Sequence, residues 1–472
     1  LNEAVLAEQA EPRMKRPVVS TAADARHVAN VAASLFPKWS HTPPLDRRAI
    51  LDRAADLLLE HRAELTRLIQ LETGGTPEWS ELNCNLGAAI LREASALTTQ
   101  ISGEIIPSGQ SGTLALAVRQ PCGVVLAIAP WNAPIVLSVR SLAVPLACGN
   151  TVVFKASELC PLTHQLVVDI LKSAGLPEGA LGIVHNDEAD AAEIVETLIA
   201  HPAVRRVNFT GSTRVGRHVA ELCARHLKKC LLELGSKAPL IVLDDADLEE
   251  AVEAAAYGAF FHQGQVCMST ERLIVHETVA EEFIDKLQAR AEQLSVADGG
   301  HSARGRLGPM ISEQAASRVK ALINDAVTKG ARLVTGGHQR GAFLDATILD
   351  GISPNMRIYY EEAFGPVASV IRYADVEEAV SIANDTEYGL AAAVFSRDVT
   401  RALAVAQQIE SGICHINGST INDEPQMPFG GMKASGYGRF GGKAGIDEFT
   451  ELRWITIQSG HRDYPFQQRS RS

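Results

Sequence analysis

A chain of 472 residues is too long for one ordinary hydrophobic core and predicts roughly two to three domains. Its 46% hydrophobic and 21% charged residues are those of a globular protein, and a formal charge of −12 without a basic cluster argues against nucleic-acid or anionic-membrane partners. The eight cysteines form no CxxC pair and no Cys/His set at zinc spacing, so neither a disulfide framework nor a metal site is expected. They read as reduced thiols of a cytoplasmic protein, most of them small core fillers. The acidic start Leu1-Asn2-Glu3 has no apolar signal-peptide core, and the missing initiator Met suggests a trimmed or partial start.

The first hundred residues predict helices. Stretches 22–35, 45–59 and 78–97 carry apolar residues at three- and four-residue spacing, with a break at Gly74-Gly75-Thr76-Pro77. Ile105-Ile106-Pro107 and residues 113–118 flank Ser108-Gly109-Gln110-Ser111-Gly112 as a β-hairpin with a polar tip. The most apolar run, 123–139, is broken by Pro130, Asn132 and Pro134, and is shorter than the roughly 20 residues of a membrane span. It predicts a strand followed by a loop. Strands at 123–129, 151–155, 182–185, 204–210 and 229–234 alternate with helical stretches such as 162–174 and 187–200. That alternation signals a parallel, doubly wound, Rossmann-like sheet covered on both faces. The pattern then repeats. A strand at 240–243 precedes a helix through 251–261, with Asp247 as its cap and Glu250 as capping-box partner. Strands follow at 272–276, 368–372, 391–395 and 413–417, with helices at 376–384 and 400–410. The boundary between the two α/β units falls at 234–239. The tail 451–458 is again strand-like, and the last dozen residues are polar.

Chemistry concentrates at the ends of these elements. Cys267 follows the helix in Gly264-Gln265-Val266-Cys267-Met268 and is a candidate nucleophile, since Gly264 permits close approach of backbone and ligand. Glu233 ends an apolar strand before Leu234-Gly235-Ser236-Lys237. It is either a general base or one half of an ion pair with Lys237. Asn132, held between Pro130 and Pro134, is a candidate oxyanion donor together with the Cys267 amide. Lys155 and Glu158 lie at a strand end, where open α/β sheets bind ligands. Lys155 suits a ribose hydroxyl, and Glu158 would accept from a 2′-hydroxyl and repel a 2′-phosphate, which favours NAD over NADP. In Thr210-Gly211-Ser212-Thr213-Arg214-Val215-Gly216 a strand turns into a helix whose amides and Ser212 hydroxyl suit a pyrophosphate.

The ordered set Trp131-Asn132, Lys155 to Glu158, 209–216, Glu233, Cys267, Glu362-Ala363-Phe364 and Pro428-Phe429-Gly430-Gly431 closely resembles the aldehyde dehydrogenase superfamily. Ser236, where the family usually carries a second glycine, is a small departure. The resemblance implies an α/β fold with two Rossmann-like domains and a small β oligomerisation element. A cofactor domain would comprise 1–102 and 122–234, a catalytic domain 235–435, and the oligomerisation element 103–121 and 450–472. It implies NAD as cofactor, contacted by Ile128, Trp131, Lys155, Ser157, Glu158, Gly211, Ser212, Gly216, Glu362 and Phe364. Cys267, Asn132 and Glu233 would be nucleophile, oxyanion donor and general base, and the protein would be a homodimer or homotetramer.

The stretches 412–418 and 423–428 look like those of bacterial salicylaldehyde, benzaldehyde and vanillin dehydrogenases. Salicylaldehyde is the foremost expectation among these. Ala133 is small where several relatives place a bulky aromatic, which leaves room for a ring. Trp79, Val136, Arg140, Met268 and Phe429 are the expected pocket residues, with Arg140 serving either a ring hydroxyl or a structural salt bridge. A CoA-acylating enzyme is disfavoured because such relatives generally lack the glutamate found here at 233. A non-catalytic binding protein is disfavoured by the presence of Cys267 and Asn132, and a nucleotide-free esterase leaves the Lys155 and Glu362 motifs unexplained.

Overall fold

The computed structural model describes residues 16–294, 307–462 and 464–466; expectations for residues 1–15 and for the extreme end of 450–472 lie outside the described residues. A first sheet runs in the order Leu181–Val184, Thr151–Lys155, Val124–Ile128, Val204–Thr210 and Lys229–Glu233, all parallel. The late strand Gly436–Tyr437 closes its edge antiparallel to Lys229–Glu233, with Gly436 opposite Glu233. Strand Val124–Ile128 is buried along its whole length because both faces are covered. Val125 and Ala127 join one apolar cluster, whereas Val124, Leu126 and Ile128 join another on the opposite face.

The second sheet has seven strands, in the order Arg332–Thr335, Thr347–Asp350, Val367–Tyr373, Thr270–His276, Ala238–Val242, Ala391–Phe395 and Ile413–Ile416. Only the first of these pairs antiparallel to its neighbour. It divides its apolar residues in the same way, with Leu240 and Val242 on one face and Ile241 and Leu243 on the other. The chain passes from the first sheet to the second between Glu233 and Ala238.

One expectation is corrected. Residues after Pro134 form no loop but a helix, Pro134–Ala147, in which all the side chains are buried. Proline at its first turn lacks only an N–H that has no helical partner there. A helix apolar all round carries no period to read, which is why the sequence resembled a broken strand. Helices Arg62–Thr73, Glu277–Gln293 and Glu313–Thr328 were likewise not anticipated as separate elements.

The expected hairpin is present as Glu104–Ile106 and Thr113–Pro121. The tail strand Thr450–Gln458 pairs along the whole of Thr113–Pro121 and completes a three-stranded antiparallel sheet. Ile105, Leu452, Trp454 and Ile457 on this sheet are exposed. Among the described residues no helix is long and apolar enough to cross a membrane.

The layout that matters for chemistry is the facing of two edges. Trp131-Asn132, Lys155, Gly211-Ser212 and Glu233 all follow or end strands of the first sheet, at its C-terminal edge. Gly235, Cys267 and Glu362 to Phe364 all precede strands of the second sheet, at its N-terminal edge.

Candidate active site

Cys267 is placed by an interrupted helix. Helix Leu248–Phe260 starts on the Asp247 carboxylate, which accepts from the Glu250 amide, and runs into the short turn Phe261–Gly264. His262, Gln263 and Gly264 are all left-handed, with φ of 50°, 55° and 68°. Two non-glycine residues in this region cost about 1–2 kcal/mol each. The Gln263 side chain offsets part of this by donating to the Pro309 carbonyl at 2.9 Å. Only glycine fits at 264, because a Cβ there would lie 2.2 Å from the Gly365 carbonyl oxygen.

Asn132 stands opposite. Its Nδ2 donates to the Gln265 carbonyl at 3.0 Å, two residues before the cysteine, and its main-chain carbonyl accepts from the Trp79 indole at 2.9 Å. A primary amide has two N–H groups, so one remains for a ligand. Among the described residues the Cys267 amide donates to no protein acceptor.

Glu233 is fully buried and neither carboxylate oxygen has a hydrogen-bond partner. Its expected alternative partner, Lys237, binds Glu271 at 2.6 Å instead. Burial pushes the Glu233 carboxyl up to about 7, opposed by the Arg140 charge and the nearby Cys267 thiol. Cys267 keeps some accessible surface. The protein crowding its sulfur, and then the Glu233 charge, hold its thiol well above the ordinary range.

Two cavities meet at Asn132 and Cys267. One, of about 620 Å³, is lined by Trp79, Asn132, Ala133, Val136, Arg140, Cys267, Met268 and Phe429 among others. All five expected pocket residues are there. Arg140 is salt-bridged to Asp423 and lies 4.2 Å over the Phe429 ring, so it is a structural ion pair that also borders the cavity. The second cavity, of about 490 Å³, is lined by Trp131, Asn132, Gly211, Ser212, Glu233, Cys267, Glu362 and Phe364 among others. Asn132, Leu137 and Cys267 belong to both.

The sequence profile described as "Aldehyde dehydrogenase family" matches residues 7–455. The chain belongs to the aldehyde dehydrogenase family. Among its relatives is a vanillin dehydrogenase of Pseudomonas fluorescens, 56% identical over 96% of this chain and 93% of that one. A crystal structure of a salicylaldehyde dehydrogenase from Pseudomonas putida G7, complexed with salicylaldehyde, superposes with a TM-score of 0.93 at 47% identity, covering 95% of this chain and 93% of that one. A betaine aldehyde dehydrogenase from Staphylococcus aureus in complex with NAD⁺ has a TM-score of 0.90 at 32% identity, covering 95% and 90%. As an aldehyde dehydrogenase, the protein is an oxidoreductase acting on aldehydes, and its family uses a nicotinamide dinucleotide.

The second cavity of this aldehyde dehydrogenase suits such a cofactor, because it joins the start of helix Thr213–Arg225 to the buried Glu233 carboxylate and the half-buried Glu362. The strand-to-helix turn is partly committed. The Gly211 amide donates to the Glu233 carbonyl at 3.0 Å and the Gly216 amide to the Ser212 carbonyl at 2.9 Å. The free amides of the turn are those of Ser212, Thr213 and Arg214, among the described residues. Gly216 does not border the cavity; a Cβ there would lie 2.3 Å from Leu234 Cδ2, so it serves close helix–strand packing. Ile128, Lys155, Ser157 and Glu158 also lie outside the cavity lining. Lys155 and Glu158 are paired at 3.1 Å, and Ser157 Oγ accepts from the Leu159 amide.

The Glu362 turn has supports that the sequence motifs did not reveal. Glu271 accepts from the amides of Ala363 and Phe364 and from Lys237 Nζ, which also donates to the Glu361 carbonyl at 2.8 Å. Arg318 donates to the Glu362 and Ala363 carbonyls. The Ser236 amide donates to Glu362 Oε1 at 2.8 Å. Burial, and then the Glu271 charge, push the Glu362 carboxyl up to about 8. Phe364 is held at φ 47°. In the sequence Glu271 looks like an ordinary polar residue inside a strand, and Arg318 like one charge among several on a helix.

Two outcomes are expected. Glu271→Gln leaves the Lys237 ammonium buried without its anion and lowers unfolding free energy by roughly 3–5 kcal/mol, read by urea denaturation. Glu233→Gln stabilises the protein more at pH 8 than at pH 5. The folded carboxyl titrates at about 7, above its unfolded value of 4.5, so the native state holds an extra proton between these values. Stability is therefore lost as pH rises through that window, and the Gln variant escapes a penalty of roughly 2–3 kcal/mol.

Proposed function

We propose that the protein oxidises aromatic aldehydes to carboxylic acids with NAD, through a thiohemiacetal and then a thioester on Cys267. The observation that carries this is the junction at Cys267 and Asn132. On one side lies a mainly apolar cavity walled by Trp79, Val136, Met268 and Phe429, with small Ala133 leaving room for a ring. On the other lies the cavity holding Glu233 and Glu362. The vanillin and salicylaldehyde dehydrogenases named above support an aromatic substrate. The vanillin enzyme is the more similar of the two, so the initial preference for salicylaldehyde is not retained.

Cys267 Sγ bonds to the aldehyde carbon, and its proton passes towards the adjacent Glu233 carboxylate. The growing oxyanion takes the second N–H of Asn132 and the amide of Cys267, donors whose individual loss typically costs about 10²–10³ in rate. A bound nicotinamide dinucleotide would supply the acceptor for the hydride that leaves the aldehyde carbon as the thioester forms on Cys267. Glu233, set by burial near neutrality, gives the thiol's proton up to solvent and then draws one from the water that attacks the thioester; the C–S bond breaks, the carboxylic acid forms, and Cys267 leaves as a thiolate that takes the proton back from Glu233. Ser212 and its neighbouring amides would hold the pyrophosphate, with Trp131 and Phe364 beside the nicotinamide and Glu362 on its ribose. Ile128, Lys155, Ser157 and Glu158 would meet the adenosine half, where Glu158 disfavours a 2′-phosphate. Residues 122–234 form the core of the cofactor domain and 235–435 the catalytic domain. The three-stranded sheet, which exposes apolar side chains on both faces, is the element through which copies associate as dimers or tetramers. Eight free thiols suit a reducing cytoplasm.

NAD-dependent rates with vanillin, salicylaldehyde, benzaldehyde and short aliphatic aldehydes are expected to be highest for an aromatic member; an aliphatic optimum refutes the substrate class. Cys267→Ala is expected to abolish NADH formation while NAD binding persists. Glu233→Gln is expected to give one rapid NADH burst followed by slow turnover, and wild-type kcat should rise with pH through about 7 as Glu233 deprotonates. Normal steady-state turnover in either variant would contradict the roles assigned.

A further inference from the structure

We infer that Trp79 is a positioning residue for the oxyanion donor as well as a wall of the substrate cavity, an inference that rests on the aldehyde-oxidation reading above. Its indole N–H donates at 2.9 Å to the main-chain carbonyl of Asn132, a residue 53 positions away in sequence. Both partners are buried, Trp79 at 2% and Asn132 at 5% exposure. A buried carbonyl held by a fixed donor has a preferred orientation, and losing that donor costs it its best-aligned partner.

The carbonyl belongs to the residue whose side chain carries the oxyanion donor. At the other end of that residue, Nδ2 gives one N–H to the Gln265 carbonyl at 3.0 Å. The direction of the second N–H is then set by two anchors. One is the Gln265 carbonyl, on the loop that carries Cys267, and the other is the indole of helix Pro77–Leu97. A displacement of the Asn132 backbone swings the free N–H away from the oxygen that forms above Cys267.

The indole is itself held. The His262 ring stacks on it with centroids 4.3 Å apart and planes 8° from parallel, and Phe261 meets it edge-on at 5.4 Å. His262 is buried, and its ring lies close enough to the Asn132 main chain to feel it while stacking on Trp79. It holds this place with a left-handed backbone, φ 50°. The Trp79 amide is fixed in turn by Thr76 Oγ1 at 3.3 Å.

A wall residue and a positioning residue differ in which substrates notice them. Every aldehyde forms the same oxyanion, but only a ring needs the wall. The test is Trp79→Phe, which keeps an aromatic ring and removes the N–H, assayed with benzaldehyde and with acetaldehyde. We expect kcat to fall by about tenfold for both aldehydes alike, with KM for benzaldehyde little changed. In an Asn132→Ala background the same substitution is expected to have almost no further effect on kcat, because the group it positions is gone. If Trp79→Phe fails to fold, benzothienylalanine at position 79 retains the indole shape without the N–H and gives the same readout. A loss confined to benzaldehyde, or a tenfold loss that persists undiminished in the Asn132→Ala background, overturns the inference. Unchanged turnover in Asn132→Ala alone would instead remove the oxyanion assignment itself, and the inference would fall with it.

Discussion

Strand polarity is the constraint on which the site depends. A parallel sheet releases every connecting segment of one kind at the same edge, so its polar turns gather there whatever their separation in sequence. Here the C-terminal edge of one such sheet meets the N-terminal edge of another. The first edge supplies Asn132, the Ser212 turn and Glu233. The second supplies Cys267 and the Glu362 turn. No single segment holds the chemistry; the crevice between two oppositely presented edges does, and both cavities open from it.

Within that crevice, charge is used sparingly. Glu233 is buried with no partner, and Lys237, four residues on, is diverted to Glu271. A partnered carboxylate would have been held low and would be a poor base at neutrality. The diverted pair has its own work, since Glu271 gathers the amides of Ala363 and Phe364 and so shapes the turn that presents Glu362. The carboxylate left unsatisfied is the one adjacent to the thiol, and the one fully satisfied lies behind the turn.

Much of this was legible in the sequence, for reasons that can be named. The strands Val124–Ile128 and Thr151–Lys155 announce themselves by continuous apolar runs, and motif residues sit at or just past the ends of those runs. Asp247 was readable as a helix start because a cap is a local interaction. The helix Pro134–Ala147 was not readable, because a segment buried on every side has no polar stripe to betray its period. The supports of the Glu362 turn were hidden for a different reason. Glu271 acts on residues 92 and 93 positions away, and Arg318 acts through main-chain carbonyls, which leave no mark in the sequence of either partner. The same holds for the Trp79 indole and the Asn132 carbonyl.

The short strand Gly436–Tyr437 carries a mechanical implication. After traversing the second sheet, the chain returns to pair with Lys229–Glu233, and Gly436 lies directly across from Glu233. The two halves are thus joined by two segments lying side by side, the direct crossing after Glu233 and this returning strand, with the Leu234 amide donating to the Ser435 carbonyl. A paired junction is stiffer than a single crossing and resists twisting of one half against the other. Exchange of small molecules is therefore expected to proceed through the mouths of the two cavities while the walls between them stay closed.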